Sequence, residues 1–114
     1  MYDCIFCQIA QHEMESVVVY EDEEFIAFED IDPQAPVHIL IIPKRHISTL
    51  SELQENDFDI VGRIFSIASQ VAAMKQIGQS GFRVVINCNP DGGQTVYHLH
   101  AHLLGGRKLN WPPG

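Results

Sequence analysis

The sequence predicts an α+β fold: a single domain with a roughly five-stranded, mainly antiparallel sheet, one long helix and a short N-terminal helix. Three observations carry this reading. Short β-branched and apolar runs recur along the chain. Only the segment around residues 58–72 sustains helical spacing over several turns. The runs are joined by hairpin-like turns instead of repeating strand–helix units, which would build a parallel sheet. At 114 residues the chain makes one domain, 1–114, with 106–114 as a C-terminal tail.

The elements follow in order. Asp3 is positioned to cap a short helix that buries Ile5, Phe6 and Ile9. Val17–Tyr20 is a β-branched run, residues 21–24 are acidic, and Phe25–Phe28 resumes the apolar pattern; together they read as a hairpin. Residues 30–36 hold two prolines within four positions, which forbids regular pairing and makes a turn. Val37–Ile42 is a buried strand stopped by Pro43, with His38 inside it. Ser48 or Thr49 caps a short turn through Leu53, and Asn56 or Asp57 caps the long helix. Phe58, Val61, Ile64, Phe65, Ala68, Val71 and Ala72 form its sheet-facing side. Phe82–Cys88 is a further strand. Residues 89–95 form a polar, glycine-rich loop, and the final strand ends at Gly105–Gly106.

Composition narrows the function classes. Seven basic against 15 acidic residues give a net charge of -8. That argues against nucleic acid and anionic membrane as partners, since both demand a basic footprint. It leaves room for a single phosphate group held by local dipoles. No N-terminal signal pattern and no run long enough to cross a bilayer are visible, and three cysteines fit a reducing compartment, so the expectation is a soluble, cytoplasmic protein.

The chemistry concentrates in residues 97–104, Tyr-His-Leu-His-Ala-His-Leu-Leu. A strand has period two, so His98, His100 and His102 share one face, roughly 6–7 Å apart, while Leu99, Ala101 and Leu103 face the opposite way. Two readings of this row stand side by side. Clustered imidazoles bind zinc. Alternatively, one imidazole is a nucleophile and its neighbours handle protons and oxygens. The preceding Asp91-Gly92-Gly93 turn can present backbone N–H groups to an anion. Thr95 adds a hydroxyl beside the row and Asn87 an amide on the neighbouring strand. Donors around imidazoles suit phosphorus chemistry.

The row His98-Leu99-His100-Ala101-His102-Leu103-Leu104 resembles the signature of the histidine triad (HIT) superfamily. Residues 30–36 (DIDPQAP), 43–48 (PKRHIS), 91–94 (DGGQ) and the terminal WPPG are similar to the Hint branch, the nucleoside phosphoramidases. The resemblance spans nearly the whole chain. It implies that His100 attacks the α-phosphorus of a nucleoside phosphoramidate and that water then releases the nucleoside monophosphate. His102 and His38 would lie at the phosphate, with Thr95, Asn87 and Gly93 binding phosphate or leaving-group atoms. Thr95 stands where relatives often have serine; the hydroxyl is retained. Asp30 would accept hydrogen bonds from the ribose, and Ile5, Phe6, Ile9, Phe28 and Ile31 would form the slot for the base, usually a purine. The same resemblance covers related enzymes with other leaving groups, dinucleotide polyphosphate hydrolases or nucleotidyl transferases, and nucleotide-binding regulatory modules.

Cys4-x-x-Cys7 by itself reads as a zinc half-site, a redox pair or two small buried residues. The family resemblance implies a structural zinc site completed by His46 and His98, which leaves His100 free to react. Cys88 reads as core and His12 as surface. Trp111 and two prolines make the tail stiff and amphipathic. The resemblance implies a homodimer in which this tail reaches the partner's active-site region.

Overall fold

The computed structural model describes residues 3–114, so the sequence reading at Met1 and Tyr2 lies outside the described residues. The elements run α1 (Ile5–Ala10), β1 (Val18–Glu21), β2 (Phe25–Glu29), β3 (Val37–Pro43), α2 (Phe58–Met74), β4 (Phe82–Val85), α3 (Asn89–Gly92) and β5 (Ala101–Gly105). The five strands form one antiparallel sheet in the order β1-β2-β3-β5-β4. The predicted α+β class, sheet and two principal helices are all present.

Alternation along the strands gives the sheet two different faces. Ile39, Ile41, Leu99, Ala101 and Leu103 pack against Ile64, Ile67, Ala68 and Val71 of α2. Ile26, Phe28, Leu40 and Ile42 point the other way and are covered by Phe6, Ile9 and Ala10 of α1. Each fully buried aliphatic side chain contributes about 1.5–3 kcal/mol to folding. The α2 face therefore supplies most of the core. The small α1 layer leaves room beside it for polar side chains.

Two glycines let the chain close at the end of β5. A Cβ on Gly105 would lie 2.6 Å from Ile77 Cδ1. Gly106 has φ +90°, and a Cβ there would meet Pro36 at 2.8 Å.

Several sequence readings need correction. The cap of α1 is Cys4, whose Sγ accepts the Cys7 N–H at 3.3 Å, and not Asp3. In α2, Phe58 and Phe65 are 61% and 49% exposed, and Ile67 belongs to the buried side instead. At 100° per residue, Phe65 sits about 100° around the helix from Ile64. The apolar arc is wider than the sheet can cover. Asp57 occupies the position before α2, but its carboxylate accepts the Gln54 N–H and pairs with Arg45 without capping the helix. Residues 89–92 form one helical turn, α3, where a loop is expected. Cys88 is only half-buried and its Sγ lies 3.1 Å from Ser51 Oγ, outside both core clusters.

The most consequential correction concerns β5. It begins at Ala101, so His98 and His100 precede the ladder. The β3–β5 register would set Leu99 opposite Pro43, which has no N–H to donate. Leu99 donates its own N–H to Ile47 O at 2.6 Å instead. The alternation of side chains nevertheless continues through this segment, with Leu99 in the α2 core and His98 and His100 near α1.

Candidate active site

Hydrogen-bond partners fix which nitrogen of each ring carries the proton. His100 Nδ1 lies 2.7 Å from the carbonyl oxygen of His98. A carbonyl only accepts, so Nδ1 carries the proton and Nε2 keeps a lone pair. The ring is buried, with Phe6 edge-on at 5.1 Å. Burial holds the His100 pKa below its ordinary value, against the pull of the His98 carbonyl and the Asp30 charge. A neutral imidazole with an available ring nitrogen is a nucleophile.

A second chain of bonds runs through His38 and His102. The Gln34 backbone N–H donates to His38 Nδ1 at 3.0 Å. Neutral His38 therefore holds its proton on Nε2, 2.9 Å from His102 Nδ1 and 3.4 Å from Asp30 Oδ2. Donation to His102 Nδ1 leaves the His102 proton on Nε2, so that edge is a hydrogen-bond donor. Burial, with the neighbouring His100 and His38, pushes the His102 pKa down to about 4. Burial also lowers that of His38, opposed by Asp30 and Asp32. Asp30, His38 and His102 lie close enough to suggest a metal site, but His38 has a donor on one nitrogen and its own proton on the other. This trio is a hydrogen-bonded relay.

Beside these rings is a cavity of about 300 Å³. Ile5, Phe6, Ile9, Phe28, Asp30 and Ile31 line it together with Thr95, His100 and His102. Asp30 Oδ1 accepts the Asp32 N–H at 2.8 Å, which orients the carboxylate at the rim. The cavity is apolar on the α1 side and polar at the histidines, a shape suited to a ligand with a flat apolar part and an oxyanion. Asn87, Gly93 and Trp111 do not line it. Gly93 donates its N–H to Pro90 O at 3.0 Å, so the expected glycine-turn donor is used within α3. Trp111 is 81% exposed.

Sequence reasoning missed several contributors, three of which shape the histidine end. Leu40 shares a strand face with His38 and lines the cavity; strand alternation would have found it. Gln94 is buried and ties the Thr95 segment in place: its Nε2 donates to Ser48 O and Val96 O, and its Oε1 accepts from Asn89 N. The Gln34 N–H that sets the His38 tautomer is a backbone group, with no signal in residue type.

His98 faces away from the cavity. Its Nε2 donates to Pro43 O at 2.7 Å, leaving the Nδ1 lone pair aimed at Cys4 Sγ (3.3 Å), Cys7 Sγ (3.5 Å) and His46 Nδ1 (3.3 Å). Cys7 Sγ is 3.4 Å from His46 Nδ1. Zinc bonds of ~2.3 Å to sulfur and ~2.0–2.1 Å to nitrogen place tetrahedral ligand atoms roughly 3.3–3.8 Å apart, so the separations fit a tetrahedral set. The composition, two thiols and two imidazoles, is that of a structural zinc site. Burial and the adjacent Cys4 raise the Cys7 pKa to about 11, a penalty that a bound cation would reverse.

The HIT domain model matches residues 11–109, which contain both the relay and His100. The chain belongs to the HIT family. It is 50% identical over 114 residues to a "14 kDa zinc-binding protein" of Brassica juncea, covering 98% of this chain and 100% of that one. It is 50% identical over 112 residues to "Adenylylsulfatase HINT1" of Arabidopsis thaliana, covering 96% of this chain and 76% of that protein. Its fold superposes on the crystal structure of a HIT family hydrolase from Legionella pneumophila Philadelphia 1 with a TM-score of 0.96 and 48% identity, over 98% of this chain and 100% of that one. The sheet and helices described above are thus shared with that structure.

Proposed function

We propose that this HIT protein is a hydrolase that cleaves the P–N bond of nucleoside 5'-phosphoramidates and releases the nucleoside monophosphate. The observation that carries the reading is the His100 ring: proton on Nδ1, lone pair on Nε2, on the wall of a nucleoside-sized cavity. His100 Nε2 attacks phosphorus, the P–N bond breaks, and the departing amine takes its proton from solvent, to which the later attack of water returns one. Attack puts positive charge on the ring, and the His98 carbonyl already bonded to Nδ1–H stabilises it. Water then displaces His100 from phosphorus. His102 Nε2–H and the Thr95 hydroxyl hold nonbridging oxygens, Asp30 takes the ribose hydroxyls, and Phe6, Ile9 and Phe28 enclose the base.

A second reading is cleavage of adenylyl sulfate, favoured by the likeness to the Arabidopsis protein of that name. Turnover of an AMP–amine conjugate, adenylyl sulfate and diadenosine polyphosphate under one set of conditions tests the choice. Fastest hydrolysis of the AMP–amine supports the phosphoramidase reading; preference for either other substrate overturns it.

Zinc belongs in the Cys4, Cys7, His46 and His98 set as a structural ion. The likeness to a plant protein named for zinc binding supports this. We also infer a homodimer, and exposed apolar residues support it. Phe58, Phe65 and Met74 on α2 and Phe82 on β4 are 61%, 49%, 59% and 39% exposed, and β4 is an open sheet edge. In such a dimer the exposed Trp111 is available to the partner's site. Sedimentation of Phe65→Asp against the parent protein reports on this: a parent that sediments as a monomer contradicts it.

A further inference from the structure

A second cavity, of about 400 Å³, opens on the other side of Thr95. Thr95, Ile5 and Val96 line both cavities, so the two adjoin along these residues. The first cavity holds the apolar slot and the Asp30 carboxylate. The second is walled by Asp3, Cys4, His46, Ser48 and Tyr97. Its floor is thus one edge of the Cys/His cluster, and none of these five residues belongs to the nucleoside slot.

We propose that this second cavity receives the leaving group, and that the Asp3 carboxylate makes it select leaving groups that carry a positive charge over anionic ones. The proposal rests on the phosphoryl-transfer reading above and adds the class of group displaced. Position is the first argument. A nucleotide whose base lies in the α1 slot and whose phosphorus meets His100 must direct its fourth substituent out of the slot, and Thr95 borders the space on that side. Charge is the second. Among the described residues, neither cavity is lined by a lysine or an arginine. Two zinc-bound thiolates offset the ion's two positive charges, which leaves Asp3 as the net charge of the second wall. The whole chain, at -8, adds to that field. Tyr97, 43% exposed, offers a ring face to an ammonium group. A sulfate or pyrophosphate would leave against this field; an amine bearing a second, distal ammonium would enter along it.

Three AMP derivatives test the proposal: AMP joined to one nitrogen of 1,4-diaminobutane, AMP joined to butylamine, and adenylyl sulfate. At low salt the parent protein is expected to favour the diamine conjugate over the butylamine conjugate by about threefold to tenfold in kcat/KM, the scale of one partly exposed charge. Asp3→Lys should bring that ratio to one or below and raise relative turnover of adenylyl sulfate about tenfold. Added salt should compress the parent's preference. A diamine-to-butylamine ratio unchanged by Asp3→Lys overturns the proposal. Absence of any AMP–amine turnover by the parent protein would defeat the phosphoramidase reading instead. The cavity is then judged by binding: 1,4-diaminobutane titrated into the AMP-loaded protein must shift the Tyr97 ring resonances, and an unshifted Tyr97 refutes the assignment.

Discussion

His98 and His100 are joined by one hydrogen bond, from His100 Nδ1–H to the His98 carbonyl oxygen at 2.7 Å. The ring of the same His98 meets Cys4, Cys7 and His46. The residue that fixes the tautomer of the His100 ring therefore itself belongs to the Cys/His cluster. One short segment outside the sheet ladder serves both sites.

That arrangement predicts the consequence of removing a thiol. Cys7→Ser should abolish the one-per-chain zinc content expected of the parent protein and lower its melting temperature by at least about 5 °C, since structural zinc contributes directly to folding. Metal analysis by mass spectrometry together with thermal unfolding checks both. A parent protein free of zinc after purification without added metal contradicts the assignment.

The buried relay predicts an acid-sensitive fold. Burial holds the His38 and His102 pKa values below 6.5, that of His102 at about 4. In the unfolded chain both rings take up a proton near 6.5; in the folded chain they resist it until lower pH. The unfolded state thus binds more protons in this window, and their contribution to stability is present above about pH 6.5 and lost as pH falls toward 4. The urea midpoint should drop steadily between pH 7 and pH 5, where surface carboxylates are still ionised. His102→Gln should flatten the slope. A parent midpoint constant across that range refutes the account of the relay.

The two glycines with opposite surroundings make a paired stability test. Gly105→Ala would push a methyl group to 2.6 Å from buried Ile77, an overpacking that costs about 1–3 kcal/mol. Gly62, inside α2, has nothing within 4 Å of a new Cβ, and Gly62→Ala should stabilise by up to about 1 kcal/mol through helix propensity. Denaturant unfolding of both variants decides; the opposite order would contradict the packing at the end of β5.

Much of this was legible in the sequence because it depends on local pattern. The β1–β2 hairpin follows from two short runs around an acidic break, the buried β3 from an apolar run stopped by Pro43, and the one-face placement of the three histidines from strand alternation. Departures occur where tertiary geometry intervenes. Pro43 cannot continue the ladder, so β5 starts after His100. Helical spacing cannot tell Ile67 from Phe65 without knowing how much of α2 the sheet covers. The Cys/His set was suggested by resemblance, whereas its convergence needs the side-chain directions of four separate segments. The Gln34 N–H and the Thr95-side cavity have no residue-type signature.

The central claim is that His100 Nε2 becomes covalently bonded to phosphorus. Mixing the protein with excess AMP–amine conjugate, quenching within the first turnovers at alkaline pH and measuring intact mass and peptide fragments tests it directly. The account predicts one AMP adduct per chain located on His100, absent in His100→Ala, whose turnover should fall roughly 10⁴-fold while the protein stays folded. Turnover in the parent with no adduct on His100, or undiminished turnover in His100→Ala, would contradict it.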